Sequence, residues 1–314
     1  MARVRTMTAL RAAAADYLAF RRALGFKLAR HDELLDSFVG FLETQHATRI
    51  TTENALAWAT SPRDANSWWW RQRLGVVRGY ARHVQRIDPL SEVPAAGLIH
   101  AVLPRSTPYM FTDDDINAVM NAADRLAPTL RSATYSSLIG LLAVTGMRVS
   151  ETINLDDTDV DIETGLLVVR DAKFNKTREL VLHSSTVEAL GCYRRDRHRY
   201  QPHPATAAFF VSTVGTRLHY PNVLGVFHRL IDETGLSERR NGQRPRLHDF
   251  RHRFAVQSVL DWYAAGVDVG PRMAALSVYL GHARPADTYW YLSATPELLG
   301  AAARLLETSV ERTP

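Results

Sequence analysis

The chain has a single cysteine, Cys192, and this scarcity limits its chemistry. One thiol cannot form an intramolecular disulfide, so the sequence suits a reducing compartment. A zinc site built from several cysteines is excluded for the same reason. A lone cysteine is more often a packing residue than a nucleophile, and we expect Cys192 to pack in a core.

Long apolar runs are also missing. The sequence has no stretch of about 18 apolar residues, which predicts that no segment spans a membrane. No apolar signal-peptide core follows the first residues, and there is no internal repeat or low-complexity segment. These absences predict a cytoplasmic protein without a membrane partner. The commonest polyanionic partner in that compartment is nucleic acid.

The sequence does contain enough apolar residues for two domains. Of its 314 residues, 46% are hydrophobic and 23% are charged, as expected of a folded protein. The 38 Lys and Arg residues exceed the 33 Asp and Glu residues, which gives a net charge of +5. Such a modest excess indicates a polyanionic partner only if the positive charges cluster.

Helical periodicity extends over the first 88 residues, and a segment with four prolines follows it up to residue 110. We therefore predict a helical N-terminal domain over 1–95, a linker over 96–110 and a second domain over 111–314.

The second domain has a mixed pattern. A helix is predicted to begin after Thr112, which is a suitable N-cap residue. Two short strands, 166–170 and 179–182, are separated by a polar stretch that predicts a hairpin. The remainder is mainly helical, so the predicted fold class is mainly α with a small β-sheet (α+β).

The predicted helix 67–84 carries three arginines beside its apolar face: Arg71, Arg78 and Arg82. Acidic residues are absent from 67–86, so these arginines lack partners on their own helix. Two interpretations remain open on composition alone. The stripe is either a solvated helix face or a surface that follows the phosphates of duplex DNA.

Five places in the second domain carry residue types suited to phosphate chemistry. Each has an ordinary structural explanation: a surface arginine, a turn lysine, an accidental His-x-x-Arg, a helix cap or a core aromatic residue. Their order along the chain is the informative feature. The places are Arg148 within 145–151, Lys173 in the predicted hairpin, His248 with Arg251, His282 within 280–282, and Tyr291 nine residues later.

In this order and spacing the sequence resembles the tyrosine recombinases, also called the phage-integrase family. The resemblance rests on Thr-Gly-Met-Arg-Val-Ser-Glu at 145–151, Lys173 before Asn-Lys-Thr-Arg, His-Asp-Phe-Arg-His at 248–252 and Leu-Gly-His at 280–282. It covers roughly 111–295, whereas the N-terminal helices match only in length and character. The resemblance implies a core-binding first domain and a catalytic second domain.

The resemblance also implies the roles of the residues. Tyr291 would be the nucleophile that forms a 3′-phosphotyrosyl link to DNA, without cofactor, metal or ATP. The activating set would be Arg148, Lys173, His248, Arg251 and His282. The sequence departs from the family at Ala172 and Phe174, since glycines usually flank the lysine. Lys176 and Tyr289 lie close to the assigned lysine and tyrosine.

The expected partner is double-stranded DNA at specific paired sites, in the cytoplasm at the nucleoid. Arg71, Arg78, Arg82, Arg244 and Arg246 are the predicted DNA-binding residues. The family implies a tetramer on DNA, of this chain alone or with related recombinases. Residues 288–298 look more like transposon-encoded recombinases than like chromosome-dimer resolvases. The apolar pattern within 296–310 predicts a helix that docks either on a neighbouring subunit or on its own domain.

Three alternatives stay open. A metal-dependent phosphoesterase could use His248, His252 and His282, although Arg251 disfavours a nearby dication. A DNA-binding accessory protein could keep the fold without catalysis. A topoisomerase could share the same tyrosine chemistry. A covalent tyrosine–DNA complex would exclude the first two, and a requirement for paired specific sites would exclude the third.

Overall fold

The computed structural model describes residues 2–28, 30–101, 107–172, 176–237 and 244–281. The chain divides into two compact units, Met1–Ser106 and Thr107–Pro314, with the boundary inside the segment 96–110. The functions predicted for the two domains stay predictions. Among the described residues, no helix is both long enough and apolar enough to cross a membrane.

The first unit is helical throughout its regular structure. Its helices are α1 (Ala2–Ala23), α2 (His31–Thr44), α3 (Thr52–Thr60) and α4 (Ser67–Val84). Side-chain caps begin two of them, because Thr51 accepts a hydrogen bond from the Asn54 backbone and Asn66 accepts one from the Trp69 backbone. The bounds of α4 agree with the predicted helix 67–84.

Gly79 allows α4 to pack closely against α1. A Cβ atom at this position would lie 2.6 Å from the Tyr17 hydroxyl oxygen, which is shorter than a real contact. The adjacent Tyr80 is buried, and its hydroxyl donates a 2.6 Å hydrogen bond to the Leu10 carbonyl. Close packing therefore offsets the poor helix propensity of glycine, which costs about 1 kcal/mol.

The core of the first unit contains an arginine that sequence reasoning did not place there. Arg73 is 8% exposed, and its guanidinium carbon lies 3.7 Å from the centre of the Trp58 ring. Its Nη2 atom donates a 2.6 Å hydrogen bond to the Trp58 carbonyl oxygen. Burial lowers the pKa of Arg73, and the cation–π contact offsets part of the cost of desolvation.

The second unit combines helices with a small antiparallel sheet, which confirms the predicted fold class. The helices are α5 (Asp113–Asp124), α6 (Thr129–Thr145), α7 (Val149–Ile153), α8 (Ser184–Tyr200), α9 (Tyr220–Thr234), α10 (Asp249–Ala264) and α11 (Val269–Leu280). The strands β1 (Val160–Asp161), β2 (Leu166–Ala172) and β3 (Lys176–Val181) pair in that order. Thr112 caps α5 as predicted, whereas β1 and α7 were not anticipated.

Helix α6 occupies the centre of this unit and packs against α5, α8 and α10. Its residues Leu138, Ile139 and Leu142 are fully or almost fully buried. The Phe111 ring stacks on Phe250 with ring centres 4.4 Å apart, which joins the start of α5 to α10. The position of the C-terminal end of α6 is therefore determined by packing on several sides.

The expectation that Cys192 is a packing residue is wrong, because its side chain is exposed. Helix α8 buries Leu190, Tyr193 and Arg197, which share one helical face. Cys192 falls outside that face, and the nearby Arg195 guanidinium lies 3.0 Å from its sulfur.

Candidate active site

A tight turn after α6 determines where Arg148 lies. Helix α6 ends at Gly146, which has a left-handed backbone with φ of 61°. A Cβ atom there would lie 2.6 Å from the Phe254 ring, so the turn requires glycine both for its conformation and for space. Arg148 then occupies the N-cap position of α7, with its side chain about one quarter exposed.

The Arg148 side chain is held from two sides. Its Nη1 atom donates a 2.7 Å hydrogen bond to Glu151 Oε1, and its Nη2 atom donates a 3.2 Å hydrogen bond to the Gly281 carbonyl. The Arg148 backbone N–H also donates to the second carboxylate oxygen of Glu151 at 2.9 Å. Glu151 therefore restrains both the backbone and the guanidinium of Arg148.

Arg251 lies in the first turn of α10 and is only 1% exposed. Its Nη1 atom donates a 2.9 Å hydrogen bond to the Gly146 carbonyl, and its Nη2 atom donates to the Leu280 carbonyl. These carbonyls belong to the C-terminal ends of α6 and α11, where helices present unpaired acceptors and partial negative charge. Arg251 thus links the C-terminal ends of α6 and α11 to the N-terminus of α10, next to Arg148.

His248 occupies the N-cap position of α10, one turn before Arg251, without a side-chain capping hydrogen bond. Its ring contacts the buried His252 edge-to-face, with ring centres 4.8 Å apart. Desolvation by the surrounding protein, followed by the charges of Arg251, Arg148 and Arg246, lowers the pKa of His248 to about 4. The residue keeps an exposed surface, where water screens part of this effect. The direction of the shift leaves the imidazole neutral at pH 7 and able to accept a proton.

Glu151 and Arg178 were not assigned roles from the sequence, although both stand inside quoted motifs. The Glu151 side chain is 6% exposed and accepts hydrogen bonds from Arg178 Nη1 at 3.1 Å and Nη2 at 2.7 Å. Burial raises the pKa of Glu151, but the bonds and charge of Arg178, together with Arg148, outweigh burial and lower it to about 2. One carboxylate therefore holds two guanidiniums, and Arg178 joins strand β3 to the start of α7.

Gly281 brings the end of α11 against these arginines. Its φ of 65° is left-handed, as expected of the Leu-Gly-His helix cap. A Cβ atom at this position would lie 3.0 Å from Arg178 Nη1 and 3.8 Å from Arg148 Nη1. The absence of a side chain lets the Gly281 carbonyl reach Arg148.

Comparison with known proteins shows the family of the chain. The profile of the phage integrase family matches residues 110–297. The chain belongs to the phage integrase, or tyrosine recombinase, family. Over 307 residues it is 39% identical to y4rB of Sinorhizobium fredii, a protein named as an integrase/recombinase, with 96% of this chain and 98% of y4rB covered.

One further relative of this tyrosine recombinase and one solved structure show the breadth of the likeness. It is 29% identical over 218 residues to tyrosine recombinase XerC of Azotobacter vinelandii, with 69% of this chain and 67% of XerC covered. Its fold matches the Tn1549 transposon integrase, solved with a circular intermediate DNA, with a TM-score of 0.65 and 16% identity. That match covers 94% of this chain and 99% of the integrase.

The structure brings together three of the predicted catalytic residues, Arg148, His248 and Arg251, through the contacts described above. Lys173, His282 and Tyr291 lie outside the described residues, so their roles stay predictions. The residues that flank Lys173 in the chain agree with a hairpin, because Ala172 pairs with Lys176.

The predicted DNA-binding arginines differ in their surroundings. Within the described part of the chain, Arg71, Arg78 and Arg82 form no ion pair, and Arg71 donates to the Ala101 carbonyl at 3.0 Å. Arg244 and Arg246, by contrast, form ion pairs of 2.8 Å with Asp232 and 2.9 Å with Asp249. Nearby carboxylates therefore compensate the positive charge of Arg71, Arg78 and Arg82 less than they compensate that of Arg244 and Arg246.

Proposed function

We propose that this tyrosine recombinase is a site-specific integrase that cleaves and rejoins DNA through a 3′-phosphotyrosyl intermediate at Tyr291, without metal or ATP. The observation that carries the proposal is the cluster of Arg148 and Arg251 beside His248. The two guanidiniums are anchored through turns at Gly146 and Gly281, so their positions are set before DNA binds.

Attack on a phosphodiester places negative charge on the two non-bridging oxygens. Arg148 and Arg251 supply charge-assisted hydrogen bonds to those oxygens. Two of the five N–H donors of Arg251 hold backbone carbonyls, which orients its guanidinium rigidly. Prior orientation of this kind lowers the barrier, because the donors need not reorganise as charge develops.

The covalent step exchanges one phosphodiester for another. The Tyr291 oxygen forms a bond to phosphorus as the bond to the 5′ oxygen breaks, and Lys173 donates a proton to that leaving oxygen. His248 accepts the tyrosine proton or orients the hydroxyl, and His282 donates a hydrogen bond to the phosphate. The bond energy is retained, so the 5′ hydroxyl of a second strand can attack the phosphotyrosine without ATP.

We propose that duplex DNA at specific paired sites is the substrate, bound by Arg71, Arg78, Arg82, Arg244 and Arg246. Strand exchange requires a tetramer of this chain, alone or with related recombinases. The likeness to y4rB and to a transposon integrase supports a role in integration or transposition of a mobile element. We place this activity in the cytoplasm, on nucleoid DNA.

The test uses a nicked duplex that carries the recombination site and traps the covalent adduct. Tyr291→Phe should abolish the adduct, because it removes the attacking oxygen. Tyr289→Phe is the matched control and should retain it. Loss of the adduct in Tyr289→Phe, with retention in Tyr291→Phe, would move the nucleophile by two residues.

A further inference from the structure

A cavity of about 470 Å³ opens between the first turns of α6 and the face of α9, beside the chain segment 211–218. Arg131 and Tyr135, four residues apart, line it from α6, and Asn222 and Arg229, seven residues apart, line it from α9. Both spacings place the two residues on one helix face. The positions of the two helices on either side of this segment thus direct these side chains into one cavity.

The cavity wall carries positive charge without acidic residues. Arg131, Arg217 and Arg229 line it, and its lining includes no Asp or Glu. Arg217 pairs with Asp156 and donates to two backbone carbonyls, so it serves as a neutralised part of the wall. Arg131 and Arg229 form no ion pair or side-chain hydrogen bond with any described residue. Two uncompensated guanidiniums therefore face the same cavity.

Tyr135 supplies a hydroxyl to the same cavity. The residue is 6% exposed, and its hydroxyl makes no hydrogen bond within the described residues. Burial raises the pKa of Tyr135, whereas the charges of Arg131 and Arg229 oppose that rise. Both arginines are therefore close enough to act on this hydroxyl. A hydroxyl within reach of two guanidiniums can therefore add a neutral donor for an acceptor ligand in the cavity.

We propose that this cavity binds a phosphate group, with Arg131 and Arg229 as charge-assisted donors and the Tyr135 hydroxyl as a third donor. The phosphate is either free in solution or part of a duplex backbone. In the second case the inference rests on the proposed function. The site is distinct from the scissile phosphate, because Arg131 and Arg148 are separated by nearly the whole of α6, roughly 25 Å.

The experiment has two arms with the full-length protein. The first measures the rise in melting temperature with added inorganic phosphate, at constant ionic strength against chloride. The second measures the salt dependence of binding to a duplex of arbitrary sequence. The variants are Arg131→Gln, Arg229→Gln and Tyr135→Phe, which retains the buried ring. Arg195→Gln, which removes an exposed arginine outside the cavity, is the matched control.

Phosphate should stabilise the wild type, and each arginine variant should weaken its binding roughly tenfold or more. If the ligand is a DNA phosphate, each of these variants should also reduce the slope of log K against log salt by about 0.9. A loss in the phosphate arm alone identifies a free anion as the ligand. The inference is overturned if neither arm differs from Arg195→Gln. Covalent cleavage by Tyr291 is scored separately, so failure of the proposed function leaves the phosphate arm interpretable.

Discussion

Replacement of Glu151 by glutamine tests how the arginine cluster is held together. The carboxylate is 6% exposed and accepts hydrogen bonds from two guanidiniums and one backbone N–H. A glutamine of similar shape carries no charge, and its amide group would turn a donor toward one arginine. Breaking one partner of a buried ion pair leaves an uncompensated charge. We therefore expect a loss of both stability and activity.

The magnitude follows from the pKa of Glu151, which falls from 4.5 to about 2 on folding. At about 1.36 kcal/mol per pKa unit, the charged carboxylate stabilises the fold by about 3 kcal/mol at neutral pH. Because its folded pKa is lowered, this contribution is complete well above pH 4.5 and is lost as the pH falls toward 2. The wild type should therefore exceed Glu151→Gln in free energy of unfolding by less at pH 3.5 than at pH 7. The two differences should themselves differ by about 1 kcal/mol.

The assay is urea unfolding of both proteins at several pH values, with adduct formation measured beside it. Displacement of Arg148 should slow adduct formation by about a hundredfold, because misplacement of a catalytic group by about 1 Å has that effect. Glu188→Gln, a change at an exposed residue of α8, is the control and should alter neither quantity. A stability difference that is equal at pH 3.5 and pH 7, or no larger than the control, would refute the reasoning.

Three further predictions concern the proposed function. Arg148→Lys and Arg251→Lys should bind DNA nearly as well as the wild type but form the adduct at least tenfold more slowly. The reason is that an ammonium group lacks the planar, forked set of donors of a guanidinium. Equal losses of binding and cleavage would indicate a positioning role instead. DNA cleavage should persist in EDTA without ATP, whereas loss in chelator and recovery with zinc or magnesium would favour the phosphoesterase alternative. Truncation after Ala294 should leave single-site DNA binding intact and remove cooperative assembly, as gel-shift experiments would show. An unfolded product would mean that the C-terminal segment belongs to the core of its own domain.

Several features of this protein were predictable from local sequence, because they depend on interactions over a few residues. The N-cap at Thr112, the bounds of α4 and the glycine turns at Gly146 and Gly281 all follow from capping, periodicity and backbone freedom. Arg148, His248 and Arg251 were identified by the order of their motifs, and the structure places these three together. Lys173, His282 and Tyr291 stay predictions.

Other features depend on which distant segments meet. Glu151 holds Arg178 because the fold brings Arg178 of β3 within hydrogen-bond distance of Glu151 in α7, and no local pattern shows that contact. Arg73 is buried because Trp58 of another helix offers its ring and carbonyl, whereas helical periodicity alone places an arginine at the surface. Cys192 is exposed because the side of α8 that faces the core is determined by its packing partners. The cationic cavity likewise arises only because the fold places α6, α9 and the segment 211–218 around one space, and chain position does not show which side chains will share it.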